Sequence, residues 1–167
     1  MTQRNPHRRG KPKHKKRKPR ETATDILLQR VRESEHFKDH GVLIETPGLV
    51  RMSRVLLDFA KPYIDPYDDH DLKRAIMSLA IIAWNISLLP QLGTEENLVK
   101  LITPVLGSKP SATHLAEHNK QLRGMVAHKE RFFPQYDRVI FDYEIKFVGE
   151  EMRLAVVSKP LAEHEEK

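Results

Sequence analysis

Cysteine is missing from this chain of 167 residues. Its absence excludes disulfides, thiolate nucleophiles and cysteine-ligated zinc together, and it suits a chain kept inside a cell. Glycine is scarce, at seven, and none of the seven builds a Walker loop or a dinucleotide-binding fingerprint. No serine sits in a nucleophile elbow with histidine and aspartate in the order an α/β-hydrolase needs. Long hydrophobic runs are missing as well. The most apolar stretch, 75–89, is broken by Ser78, Asn85 and Ser87 and followed by Pro90. A membrane span needs about 20 mostly apolar residues, so no membrane partner is expected. The N-terminus is basic but no apolar segment follows it, so no secretory signal is read there.

One further absence is local. Residues 1–20 contain no acid, while ten of the 29 Lys and Arg residues lie there: Arg4, Arg8, Arg9, Lys11, Lys13, Lys15, Lys16, Arg17, Lys18 and Arg20. The remaining residues, 21–167, hold 19 basic against all 23 acidic side chains, a net of −4. The overall charge of +6 therefore averages a basic arm with an acidic body. Such asymmetry points to a polyanionic partner. The arm has nothing to bury, and Pro6, Pro12 and Pro19 oppose helix, so residues 1–20 are expected to be a disordered tail ahead of one globular domain over 21–167.

The body is organised around 71–89, DLKRAIMSLAIIAWNISLL. On a helical wheel its apolar residues cover nearly the whole circumference, which predicts a helix packed on almost all sides. Asp68 is the expected cap, with Asp71 in the first turn. A narrow polar stripe of Arg74, Ser78 and Asn85 interrupts the apolar surface. If covered, that stripe must find hydrogen-bond partners.

Other helices are read around it. Glu21 to His40 is capped by Thr22 or Thr24, ends near Gly41, and turns Ile26, Leu27, Val31 and Phe37 inward. Leu49 to Lys61 places Arg51, Arg54, Asp58 and Lys61 on its exposed face, buries Val50, Leu56, Leu57, Phe59 and Ala60, and stops at Pro62. A short helix follows Thr94, bent or ended by Pro104. The last starts at Ser111 and runs to about Phe133 with Leu115, Leu122, Val126 and Phe133 on one stripe. A small edge strand is read at Val42 to Glu45. From Val139 the period changes to two: Val139, Phe141, Tyr143, Ile145 and Phe147 alternate with Ile140, Asp142, Glu144 and Lys146, which predicts a strand. A turn at 148–151 and the run MRLAVVS complete a β-hairpin with one face on the helices; LAEHEEK is a frayed end. The fold class expected is α+β, about five helices around a central buried one with a C-terminal hairpin.

Three constellations bear on chemistry. Arg8, Arg9, Lys11, Lys13, Lys15, Lys16, Arg17, Lys18 and Arg20 suit phosphate contact and counterion release, a sequence-independent nucleic-acid anchor. Without aromatics to stack on bases, the arm is read as a backbone binder. The same KHKKRKPR run would also serve a nuclear importer in a eukaryotic cell. His114 and His118 fit the H-x-x-E-H spelling of inverted zincins and share a helix face, but no third ligand is evident downstream, and a helix-edge role accounts for both. Asp65, Asp68, Asp69, His70 and Asp71 form an acidic cluster without the glycine and terminal glutamate of a calcium loop.

The expectation is a non-catalytic, cytoplasmic protein associated with nucleic acid, RNA or the ribosome ahead of duplex DNA, because no helix-turn-helix with a basic recognition helix is seen. The alternatives are a protein-interaction adaptor whose tail localises it, and a metal-dependent enzyme built on His114 and His118. No cofactor is expected.

Overall fold

The computed structural model describes residues 22–33 and 51–161. The basic arm, the first helix beyond Glu33 with Phe37, the edge strand at 42–45, Val50 and the acidic end lie outside the described residues. In chain order the elements are α1 (Ala23–Glu33), α2 (Met52–Ala60), α3 (His70–Leu88), α4 (Glu95–Leu106), α5 (Ala112–Phe132), β1 (Arg138–Val148) and β2 (Glu151–Pro160), with short 3-10 turns after α2 and α3. The class is α+β: five helices and an antiparallel hairpin.

Helix α3 is the centre the sequence implied. Met77, Ala80, Ala83 and Trp84 have no solvent exposure. They pack with Phe59 and Leu56 of α2, Leu98 and Ile102 of α4, Leu115, Leu122 and Met125 of α5, and Ile140 and Ile145 of β1. The cap is Asp69 and not Asp68: Asp69 Oδ1 accepts from Leu72 N–H at 2.8 Å. Asp68 is used one turn earlier, where its carboxylate accepts from Asp65 N–H at 2.9 Å.

The surrounding helices start and stop as local chemistry demands. In α1, Thr22 and Asp25 form a reciprocal cap, with Asp25 Oδ2 accepting from Thr22 N–H at 2.8 Å and Asp25 N–H donating to Thr22 Oγ1 at 3.2 Å. Ser111 Oγ accepts from His114 N–H to cap α5. Helix α2 gives way at Lys61 to a 3-10 turn containing Pro62, and Arg51, Arg54, Asp58 and Lys61 are exposed as expected. Pro104 does not end α4. It lies in the last turn, and the helix closes two residues later where Gly107 adopts the left-handed conformation at φ 71°.

The hairpin corrects the simple alternation. Ile140 pairs with Ser158 but Asp142 pairs with Val157, so Phe141 is an extra residue in β1. A bulge puts the side chains before it out of phase with those after it. Val139 and Ile140 are therefore both buried, while Phe141, expected to face inward, is 56% exposed. Gly149 at φ 61° opens the two-residue turn, the position where a II′ hairpin turn requires a positive φ.

Helices cover both faces of the hairpin, and not one as the sequence suggested. Tyr143, Ile145, Phe147, Met152, Leu154 and Val156 pack on the main core. On the opposite face, Ala155 and Val157 pack with Ala23, Leu27 and Val31 of α1 as a separate small cluster. Arg30 fastens α1 there by reaching both Asp142 and Glu144.

Candidate functional site

The polar stripe of α3 lies along the outer edge of β1. A strand edge carries backbone N–H and C=O groups that need partners when covered. Asn85 supplies two: its Nδ2 donates to Ile140 C=O at 2.8 Å, and its Oδ1 accepts from Ile140 N–H at 2.9 Å. The amide side chain thus occupies the place of a neighbouring strand. Trp84 Nε1 donates to Arg138 C=O at 2.9 Å, and Arg74 Nη1 donates to Ile145 C=O at 2.8 Å. Carbonyls facing one edge of a regular strand are two residues apart. Ile140 and Ile145 are five apart, and the bulge at Phe141 supplies the odd residue. Ser78 Oγ returns to its own helix, donating to Arg74 C=O.

Beside this seam an open cleft of about 340 Å³ is lined by Asp71, Arg74, Ala75 and Ser78, with Pro104, Val105 and Tyr143 opposite. Arg74 is already donating to β1 and lies 5.6 Å from the Phe147 ring centre. A second cleft of about 240 Å³ has an apolar floor of Ile86, Leu98, Leu122 and Val126 and a rim of Asn119, Arg123 and Glu130.

The other sequence candidates have local roles. In the acidic loop, Asp65 Oδ1 accepts from Tyr67 N–H, Asp68 and Asp69 act as described above, and Lys73 Nζ donates to Pro66 C=O at 2.9 Å. His70 stacks on Phe147 with ring centres 4.1 Å apart, and its Nε2 lies 3.6 Å from Glu150. His114 is exposed at the start of α5. His118 Nδ1 is buried without a hydrogen-bond partner. Among the described residues no three His, Asp or Glu side chains converge as a metal site would need. Arg8, Arg9, Lys11, Lys13, Lys15, Lys16, Arg17, Lys18 and Arg20 all lie outside the described residues.

The structure also shows a buried cation that is absent from the reading of the sequence. Lys129 is 4% exposed, and its ammonium sits 5.2 Å from the centre of the Trp84 ring. Burial holds its pKa below the usual lysine value, against the opposing pull of Glu130 and Asp137. It belongs to an aromatic cluster in which Phe59 makes an edge contact with Trp84 at 5.4 Å and Tyr63 Oη lies 2.8 Å from His128 Nδ1. Burial raises the pKa of Tyr63. The sequence does carry a signal for this lysine: Leu115, Leu122 and Lys129 are spaced seven apart on one stripe of α5.

Among the described residues no helix is long and apolar enough to cross a membrane. No protein-family profile, no curated protein sequence and no solved structure matches the chain.

Proposed function

We propose that this protein is a non-catalytic nucleic-acid-associated protein, RNA ahead of DNA, and that residues 1–20 hold the partner by its phosphate backbone. The single observation that carries the reading is the division of charge: ten basic and no acidic residues in the first twenty, against a net of −4 in the rest. Lys and Arg at that density neutralise phosphates and release counterions whatever the base sequence. The body supports this reading in one respect. Arg74, Trp84 and Asn85 of its central helix are engaged with the backbone of β1, a scaffold role.

The experiment is a capture assay from lysate with the full chain and with a chain lacking residues 1–20, each with and without ribonuclease. The expected outcome is RNA and RNA-dependent proteins retained by the full chain and lost on either truncation or nuclease. A partner kept by the truncated chain after nuclease treatment would favour the adaptor reading instead.

A further inference from the structure

The two edges of the hairpin are treated unequally. In an antiparallel ladder, opposed residues either exchange hydrogen bonds or both turn their backbone groups outward. Ile140 and Ile145 turn outward to Asn85 and Arg74. Their partners Ser158 and Leu154 therefore turn outward on the far edge of β2, and Met152 and Val156 follow by the period of two. On β1 that edge is covered by α3. On β2, among the described residues, no hydrogen bond reaches the N–H groups of Met152, Leu154, Val156 or Ser158, and only Ser158 C=O has a partner, Arg138 Nη2 at 3.0 Å. Helix α2 packs against β2, but among the described residues no strand pairs with this edge, and an edge left so is a template for another strand.

We propose that the occupant of this edge is β2 of a second copy of the chain, paired antiparallel about a two-fold axis at Ala155. The charges select the register. Centred on Ala155, Glu151 of each copy faces Lys159 of the other, and Arg153 faces Val157. Moving the axis by one residue toward Val156 sets Arg153 against Lys159; moving it to Arg153 sets Arg153 against itself. Opposite charges across a strand pair are favourable and like charges are not. Among the registers centred from Arg153 to Val157, which keep most of β2 paired, only the one at Ala155 places an acid against a base on both sides. The outward groups then pair Met152 with Ser158 and Leu154 with Val156, and Pro160, with no N–H to offer, closes the ladder. Glu151 and Lys159 are both exposed; Glu151 Oε2 accepts from Arg153 Nη2 of its own strand at 3.0 Å, which leaves its other carboxylate oxygen to meet Lys159 across the pair. A consequence bears on the arm. Ala23 packs in the same small cluster as Ala155, so the N-terminal ends of the two first helices would lie beside the axis. Two linked arms bind one polyanion with higher avidity than either alone.

The test is sedimentation equilibrium of the full chain in the absence of nucleic acid, with charge reversals at the two positions. The expected result is a dimer. Glu151→Lys and Lys159→Glu should each weaken dimerisation by about tenfold or more, and the double reversal should restore it to within about threefold, because the facing pairs are then opposite again. Circular dichroism checks that each variant keeps its fold, and both positions are exposed. A full chain that stays monomeric at about 100 μM would overturn the proposal. So would a dimer indifferent to both single reversals, or one not restored by the double reversal.

Discussion

Replacing Asn85 with alanine tests how β1 is held. The side chain makes two hydrogen bonds to one residue, 2.8 Å to Ile140 C=O and 2.9 Å from Ile140 N–H. Ile140 is 4% exposed, so neither backbone group can turn to water when the amide is removed. A buried polar group left without its partner costs about 1–3 kcal/mol. Two such groups give about 2–6 kcal/mol, a large part of the roughly 5–15 kcal/mol by which domains are stable. The assay is urea unfolding followed by the fluorescence of Trp84, the single tryptophan, whose own bond to Arg138 C=O lies on the same seam. The midpoint should fall with little change in slope, since the surface exposed on unfolding is nearly the same. Asn85→Asp should be at least as damaging, because it removes the donor and sets a carboxylate beside a carbonyl. If Asn85→Ala or Asn85→Leu unfolds within about 0.5 kcal/mol of the parent, the range of an ordinary surface change, the seam is not what fixes β1.

Further outcomes follow from the same structure. Trp84→Ala should cost about 3–5 kcal/mol, because the ring has no exposure and packs against Phe59, Phe133 and Lys129; a loss under about 1 kcal/mol in chemical denaturation would place it outside the core. Phe141→Ser should change stability by less than about 1 kcal/mol while Ile145→Ser costs more, since the bulge turns Phe141 out; the reverse order in a thermal melt would contradict the register. Lys129 has a lowered pKa when folded, so the unfolded chain binds more protons between that value and the ordinary 10.5, and stability should rise with pH across that window. Tyr63, whose pKa is raised, works in the opposite sense from 10.0 upward. Denaturation at a series of alkaline pH values should show the rise in the parent and lose it in Lys129→Met; a rise that survives the substitution would assign it elsewhere.

Much of this fold is legible in the letters because the relevant signals are local. The apolar circumference of 75–89, Ser111 ahead of α5, Pro62 after α2 and the alternation from Val139 each depend on neighbours in sequence. What is not legible depends on geometry between distant elements. One inserted residue at Phe141 leaves the alternation of letters intact while reversing which residues of the first half of β1 face inward. The stripe of Arg74, Ser78 and Asn85 is visible as polar, yet the partners of Arg74 and Asn85 are backbone groups 55 to 71 residues away, which carry no residue-specific mark. Lys129 escapes a reading of the letters because lysine is rarely buried; here its ammonium lies against the Trp84 ring, a neighbour 45 residues away in sequence. The basic arm is the opposite case. Its reading rests on charge density alone and needs no fold.

The most direct test of that reading is fluorescence anisotropy of a single-stranded RNA titrated with the full chain over a range of salt concentrations. If six to eight of Arg8, Arg9, Lys11, Lys13, Lys15, Lys16, Arg17, Lys18 and Arg20 engage phosphates, log K should fall against log salt with a slope of about −4 to −6, and scrambling the RNA should change affinity little. Replacing Lys15, Lys16, Arg17 and Lys18 with glutamine should flatten the slope by about 0.7 for each phosphate no longer neutralised. A chain without residues 1–20 that binds as tightly, with the same slope, would contradict the account.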